Sequence, residues 1–424
     1  GTIAWESALY VMAAGFLLQF ASAPAVVAPR RHPAVVGRAS TIGGTPAVTD
    51  RTAVGTLSLP SLGIGTIAWN GKTEEDKARI AGVAAAAQAR GLDFFDTAER
   101  YGASPLSLIP AALAGLGLPV DKSYLGGDCE SNLAEWGRGA TVATKFTPTP
   151  WRRQASDVVD AARGSCERLG VDSIDLYQLH MPDIIQPFRA FGVVDRKDEI
   201  YWDGLAEAYK SGLVRNVGVS NYGGALLERA QEHLARQGVP LVSNQIAFNL
   251  LCRREGSLAT LEKGNELGVR TLAYYPLAMG LLTGKLAARN LRQAVLEKRV
   301  SPQRAADLCR YLEGGSGGTA GDIPRNGVLP LLEAVSDVAA ARSKTPAQVA
   351  LNWVMCKGAI PVGGASSVSQ VEDNLGALGW RLEPSEVGQL DAAADDLPFD
   401  FKGAGFQTTD SKFVGYGFER WVLN

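Results

Sequence analysis

The chain has 424 residues, 46% hydrophobic and 20% charged, with 42 basic against 44 acidic side chains and a net charge of −2. That length suits a globular protein with a sizeable core, one α/β barrel included, and the near-neutral balance offers no extended basic face to nucleic acid or a membrane surface. Five widely spaced cysteines, without a Cys-x-x-Cys pair or a Cys/His cluster at zinc spacing, argue against a disulfide framework and a structural metal and fit a reducing compartment.

Residues 1–51 differ in kind from the rest. From Ser7 to Thr49 there is no Asp or Glu, while Arg30, Arg31 and Arg38 and many small residues are present. The apolar stretch Ala8–Ala23, "ALYVMAAGFLLQFASA", is short for a membrane span and closes on the small-residue pattern Ala21-Ser22-Ala23. An apolar segment followed by an acid-free, Arg- and Ser-containing stretch looks like a two-part plastid address. A disordered or foreign leader is the alternative, since "GTIAW" stands at 1–5 and again at 65–69. The expected domains are a leader over 1–51, a barrel over 52–396 and a tail over 397–424. The compartment is a plastid, or otherwise the cytoplasm.

From about Thr52 one rhythm repeats: an apolar run, a polar turn, an amphipathic helical stretch. The runs are "SLGIGT" 61–66, "GLDFFDT" 91–97, "ATVATK" 140–145, "SIDLYQLH" 173–180, "VRNVGVS" 214–220, "LVSNQI" 241–246, "RTLAYY" 270–275 and "GAIPVG" 358–363. Continuous rather than alternating apolarity marks strands buried on both faces. Between them, "TEED" 73–76 and "TPAQ" 345–348 supply Thr N-caps, the second with Pro at the first helical position. Val158, Val159, Ala162, Cys166 and Leu169 make one apolar helix face that stops at Gly170. Eight such units predict an α/β fold, a single (β/α)8 TIM barrel, over an open doubly wound sheet.

In such a barrel chemistry sits on the loops after the strands. The strand ends read Asp96, Lys145, His180, Ser220-Asn221, Gln245 and Tyr274. Each alone fits a cap or a satisfied core group; so many polar side chains at the same end of different strands point to a site.

These blocks resemble the aldo-keto reductases, specifically the plastid-type branch with potassium-channel β-subunit-like members. The resemblance runs from about Val54 to Asp391 through "LGIGTIAW", "GLDFFDTAERYG", "VATKF", "IDLYQLHMPD", "GLVRNVGVSNY", "SNQIAFNLL", "LAYYPLAMGLLTGK" and "PVGGASSVSQVEDNLGALGW" in order. It implies a catalytic tetrad of Asp96, Tyr101, Lys145 and His180. Hydride delivery to a carbonyl leaves charge on oxygen, so an acid must stand within hydrogen-bond reach. A tyrosine, with an ordinary pKa of about 10, is a weak donor near neutrality unless its phenolate is stabilised. Lys145 would lower it, Asp96 would hold the ammonium, and His180 would aim the carbonyl. A buried Asp–Lys bridge with Tyr and His as packing is the bland alternative.

No GxGxxG follows a strand. By resemblance the nicotinamide dinucleotide lies extended across the rim instead. Ser220, Asn221 and Gln245 would hold the carboxamide, Tyr274 would stack on the ring, and Gly65 and Thr66 would line the same end. Leu277, Gly280, Leu282, Gly284 and Lys285 would clamp the pyrophosphate, while Gly364, Ser366, Ser367, Gln370 and Asn374 would take the adenosine. Ordinary packing explains Leu277 and Leu282 as well as contact does. No metal ligands are expected.

The chain departs from the family in places. Ser366 stands where a basic residue commonly meets the adenosine 2′-phosphate, so NADPH is the expected cofactor but NADH stays open. Tyr275 and Met181 alter the substrate wall. An insertion spans 103–127. The loop from Leu277 towards Lys344, with "EGGSGGTAGD" 313–322, reads as a lid or linker, and the aromatic tail from Pro398 as a cover or cap. The resemblance implies a monomeric NADP(H)-dependent reductase of aldehydes or ketones, with Tyr101 as general acid and a small carbonyl compound as partner. The alternative is a cofactor-binding redox sensor with little turnover.

Overall fold

A computed structural model describes residues 48–103, 128–149, 152–184, 196–253, 256–296, 302–315 and 323–399, and the strand pair at 407–409 and 412–414. Residues 1–47 of the expected leader, nearly all of the insertion over 103–127 and most of the aromatic tail lie outside them, whereas the last four leader residues, 48–51, are described and Arg51 already belongs to a strand.

An antiparallel hairpin comes first, β1 (Arg51–Val54) and β2 (Leu57–Pro60). The alternation then runs β3 (Gly63–Gly65), α1 (Glu74–Gln88), β4 (Phe94–Asp96), α2 (Asp128–Trp136), β5 (Thr141–Phe146), α3 (Ala155–Leu169), β6 (Leu176–Leu179) and α4 (Asp198–Lys210). It continues with β7 (Val217–Ser220), α5 (Gly224–Arg236), β8 (Leu241–Ala247), α6 (Ser257–Glu266) and β9 (Arg270–Tyr274). After a 3-10 turn at Ala278–Thr283 come α7 (Ala288–Leu296), α8 (Pro302–Glu313), α9 (Leu329–Ala341), α10 (Pro346–Cys356), β10 (Ile360–Gly364), α11 (Val368–Leu375) and α12 (Pro384–Asp395). Strands β11 (Gln407–Thr409) and β12 (Lys412–Val414) pair antiparallel.

Strands β3 to β10 pair in parallel and close on themselves, β10 beside β3, so the eight apolar runs are the eight staves of a barrel. Their continuous apolarity has the anticipated cause: β4, β6, β7 and β8 are buried at every position. The helix signals act as read. Thr73 Oγ1 accepts the Asp76 N–H, Thr345 and Gln348 form a reciprocal capping box behind Pro346, and Gly170 ends α3 at φ 65°.

The hairpin had no signal in the strand count. It closes the barrel's N-terminal end, adding Val54 and Leu59 to an interior layer of Phe94, Ala143, Leu176, Val242, Leu272, Ile360 and Val362. The Thr56 N–H and Oγ1 donate to Asn216 Oδ1 at 3.0 and 3.2 Å, which ties its turn to the base of β7. Gly55 makes that turn possible: φ is +58°, and a Cβ would stand 2.3 Å from Asn216 Oδ1.

The segment between Leu277 and Lys344 is expected, on the strength of its glycine-rich stretch 313–322, to be a lid or linker. Its described part is largely helical, because Leu291 on α7 and Leu308, Tyr311 and Leu312 on α8 fall at helical spacing and bury against Val328, Leu331 and Trp353. Most of the glycine-rich stretch itself, 316–322, lies outside the described residues. The start of the tail caps this cluster, with Phe399 packed 6.0 Å from Tyr311.

Candidate active site

The parallel register brings the tetrad together. Asp96 ends β4, Lys145 is the penultimate residue of β5, and His180 follows the last residue of β6. Tyr101 enters from the loop after β4, in a turn whose N–H bonds back to Ala98 O.

Lys145 Nζ donates to Asp96 Oδ2 at 2.6 Å and to Thr97 O at 2.7 Å, and lies 3.5 Å from Tyr101 Oη. The ammonium also sits 5.0 Å from the centre of the Tyr101 ring. The Tyr101 and His180 rings meet edge-on, 5.7 Å apart and inclined by 74°. Lys145 is wholly buried and Asp96 almost so, whereas Tyr101 and His180 are half-buried at the mouth.

Burial sets the charges. Desolvation, then the charge of Asp96, pushes Tyr101 well above its ordinary value near 10. Desolvation also lowers Lys145, against the pull of Asp96. The expected lowering of Tyr101 by Lys145 therefore does not win: the phenol stays protonated. Desolvation and then Lys145 hold His180 down to about 3, so its ring is neutral near pH 7. Cys129, whose N–H donates to Tyr101 O, is an inert thiol that burial pushes up to about 12.

Asp96 is held on its second oxygen too. Gln245 Nε2 donates to Oδ1 at 2.7 Å, and Gln178 Nε2 stands 3.5 Å from the same atom. Ser243 Oγ in turn donates to Gln178 Oε1 at 3.3 Å. Gly218 leaves room for that pair, since a Cβ there would come 2.2 Å from Ser243 Oγ.

Beside the tetrad, Asn221 Nδ2 donates to His180 O at 2.9 Å and to Ser220 Oγ at 3.1 Å, and Tyr274 Oη donates to Asn221 Oδ1 at 2.7 Å. Asn221 sits at φ 62°, a left-handed conformation that asparagine tolerates best among non-glycines. Thr66 is buried, with Oγ1 donating to Asp96 O, and Gly65 precedes it at the end of β3. After β9 the backbone is strained: Tyr275, Ala278 and Met279 lie at φ 51°, 47° and 55°, beside Gly280 at 97° and Gly284 at 67°.

The remaining expected contacts spread along the rim. Leu282 is wholly buried in the cluster with Ile246 and Trp353, and Leu277, half-buried, packs against both large clusters. Lys285 is exposed and pairs with Asp373 at 2.8 Å. Gly364 is exposed, Ser367 N-caps α11 by accepting the Gln370 N–H, Ser366 N and Oγ both donate to Gln370 Oε1, and Asn374 is buried beneath them.

Sequence reading missed Gln178 and a network behind His180. Glu99, 2% exposed, accepts the Thr147 N–H at 2.7 Å and Arg152 Nη1 at 2.5 Å, and Thr147 Oγ1 lies 3.5 Å from His180 Nδ1. The available signal was a glutamate between two tetrad members in "DTAERYG", on a loop with no other need of an acid.

A closed parallel barrel with a buried lysine, its carboxylate partner, a tyrosine and a neutral histidine at the strand ends defines a (β/α)8 enzyme. The model of the Aldo/keto reductase family matches residues 61–395. Pyridoxal reductase, chloroplastic, of Arabidopsis thaliana is 35% identical over 364 residues, covering 84% of this chain and 88% of the relative. An uncharacterised oxidoreductase of Mycobacterium tuberculosis is 30% identical over 311 residues, covering 73% and 79%. Among solved structures, an aldo-keto reductase of Bombyx mori in complex with NADP shares the fold, with a TM-score of 0.53, 21% identity and coverage of 82% and 94%. The chain belongs to the aldo/keto reductase family, and it is an oxidoreductase.

Proposed function

We propose that the protein reduces an aldehyde to an alcohol with NADPH, using Tyr101 as proton donor. The observation that carries this is the Lys145 ammonium, wholly buried, 2.6 Å from Asp96 and 3.5 Å from Tyr101 Oη. The rim's polar set fits the cofactor: Asn221 is bonded to Ser220 Oγ and to Tyr274 Oη, and Ser220 to Gln245 O, so a chain of amide and hydroxyl groups runs to a half-buried tyrosine, which suits a carboxamide on an aromatic ring. When bound, the reduced nicotinamide supplies the hydride.

The protein's own residues manage the charge that develops on oxygen. Tyr101, kept protonated by burial, hands its proton from Oη to the carbonyl oxygen. Lys145 stabilises the phenolate left behind, and Asp96, itself fixed by Gln245, keeps the ammonium in place. His180 is neutral, and the one ring N–H it carries is a second donor to the carbonyl. Gln245 joins the two halves of the site, with its nitrogen on Asp96 and its amide oxygen available to the carboxamide.

The Arabidopsis relative is named for pyridoxal, and an aromatic aldehyde of that kind is the first substrate to try. The same name supports a plastid as the compartment. A fluorescent protein fused behind residues 1–51 tests that: plastid accumulation supports it and a cytoplasmic signal refutes it.

Fluorescence titration with NADPH and NADH, followed by NADPH oxidation with pyridoxal and a panel of small aldehydes, tests the function. NADPH binding with turnover is the expected result. Tight binding with no turnover on any carbonyl refutes the reductase reading in favour of a redox sensor, and no binding refutes the cofactor assignment.

A further inference from the structure

We propose that Arg79, on α1, recognises the 2′-phosphate of NADPH in place of the basic residue that Ser366 displaces. This deepens the cofactor reading above and rests on it.

Arg79 lies 287 positions before Ser366 in the chain, yet its Nη1 donates to Ser366 O at 2.6 Å. Packing of α1 against α11 brings the two together. The neighbouring turn is tied to the same loop, since Trp69 Nε1 donates to Ala365 O at 2.9 Å. Arg79 Nη2 donates to Asp76 Oδ1 at 3.0 Å, one helical turn away on α1.

A guanidinium has five N–H donors. Those two bonds leave three without a partner among the described residues, and the side chain is 32% exposed. Arg79 is therefore fixed at the loop and still open to a ligand. Arg90 and Lys285 are also near and also paired, with Glu372 and Asp373 at 2.8 Å each, but among the described residues Arg79 is the one of the three that bonds the Ser366 loop.

The loop also shows an acceptor where a phosphate oxygen would lie. Gln370 Oε1 takes both the Ser366 N–H, at 2.7 Å, and the Ser366 hydroxyl, at 3.0 Å. Rotation of the exposed Gln370 side chain frees both donors. A phosphate arriving there meets a backbone N–H, a hydroxyl and one edge of the guanidinium, the planar fork that suits its oxygens. Asp76 offsets part of the charge on Arg79, and a phosphate dianion outweighs a single carboxylate in that competition.

The test is Kd for NADPH and for NADH in the full chain, for the unaltered protein, Arg79→Met and Arg79→Lys, at low and high salt. Arg79→Met is expected to raise the NADPH Kd by about tenfold to a hundredfold while leaving NADH binding unmoved, which also reports that the site is still folded. Arg79→Lys should fall between, and the salt sensitivity of NADPH binding should diminish in Arg79→Met. Adding Ser366→Arg to Arg79→Met should restore NADPH binding. Equal weakening of both nucleotides would overturn the proposal, because Arg79 would then merely hold the Ser366 loop. An unchanged NADPH Kd would overturn it too. If the unaltered chain binds neither nucleotide, the cofactor reading itself fails; if it binds both with a preference that Arg79→Met does not move, only the Arg79 assignment fails.

Discussion

The two ends of the barrel solve the same problem of buried polar groups in opposite ways. At the N-terminal end the hairpin seals the opening with Val54 and Leu59, and its polar turn is satisfied by neutral hydrogen bonds from Thr56 to Asn216. At the C-terminal end nothing comparable covers the staves among the described residues. There a lysine and an aspartate are buried beside a half-open tyrosine and histidine, and the backbone at Asn221, Tyr275, Ala278 and Met279 holds left-handed conformations. The closed end has spent its polarity on stability; the open end keeps charge and strain where a substrate can use them.

Four substitutions or conditions probe that contrast, in order of expected effect. Lys145→Met leaves Asp96 as an uncompensated buried carboxylate and should lower stability by about 3–5 kcal/mol, while Asp96→Asn added to it should recover much of the loss. Denaturant unfolding of both variants checks this. At the other end, Leu59→Ala should lower stability by about 2–5 kcal/mol without changing turnover of the protein that remains folded. A fall in turnover per folded molecule would erase the division of labour. Asn216→Leu strands the Thr56 donors and should lower stability by about 1–3 kcal/mol, again with turnover unchanged.

The smallest effect is a slope. His180 is held at about 3 in the folded protein against an ordinary 6.5, so between those values the unfolded chain binds the extra proton and stability falls as pH drops. At most one proton is involved, or about 1.4 kcal/mol per pH unit. Unfolding measured from pH 7 to pH 4 should show a shallower fall in His180→Gln. An identical fall would mean that His180 is not held neutral.

Much of this architecture was legible in the sequence because its cause is local. The eight strands announce themselves by continuous apolarity, and Thr73, Thr345 and Gly170 mark helix ends by chemistry that acts within one turn. The tetrad was legible as a motif, and the fold brings its four members together. What escaped depends on contacts across the chain. The hairpin is too short to stand out, and its role appears only when Val54 and Leu59 meet the barrel interior. The helices α7 and α8 were hidden by the glycine-rich stretch beside them. Gln178 reads as one more strand residue until Asp96, 82 positions away, is found beside it. The rise in the Tyr101 pKa depends on how much protein surrounds the ring, which no spacing of residues records.

Single-turnover oxidation of bound NADPH by an aldehyde, compared between the unaltered chain and Tyr101→Phe, tests most directly whether the buried cluster donates a proton. The predicted result is a rate lower by about 10²- to 10⁴-fold in the variant, with NADPH affinity unchanged. Equal rates in the two proteins would contradict Tyr101 as the acid.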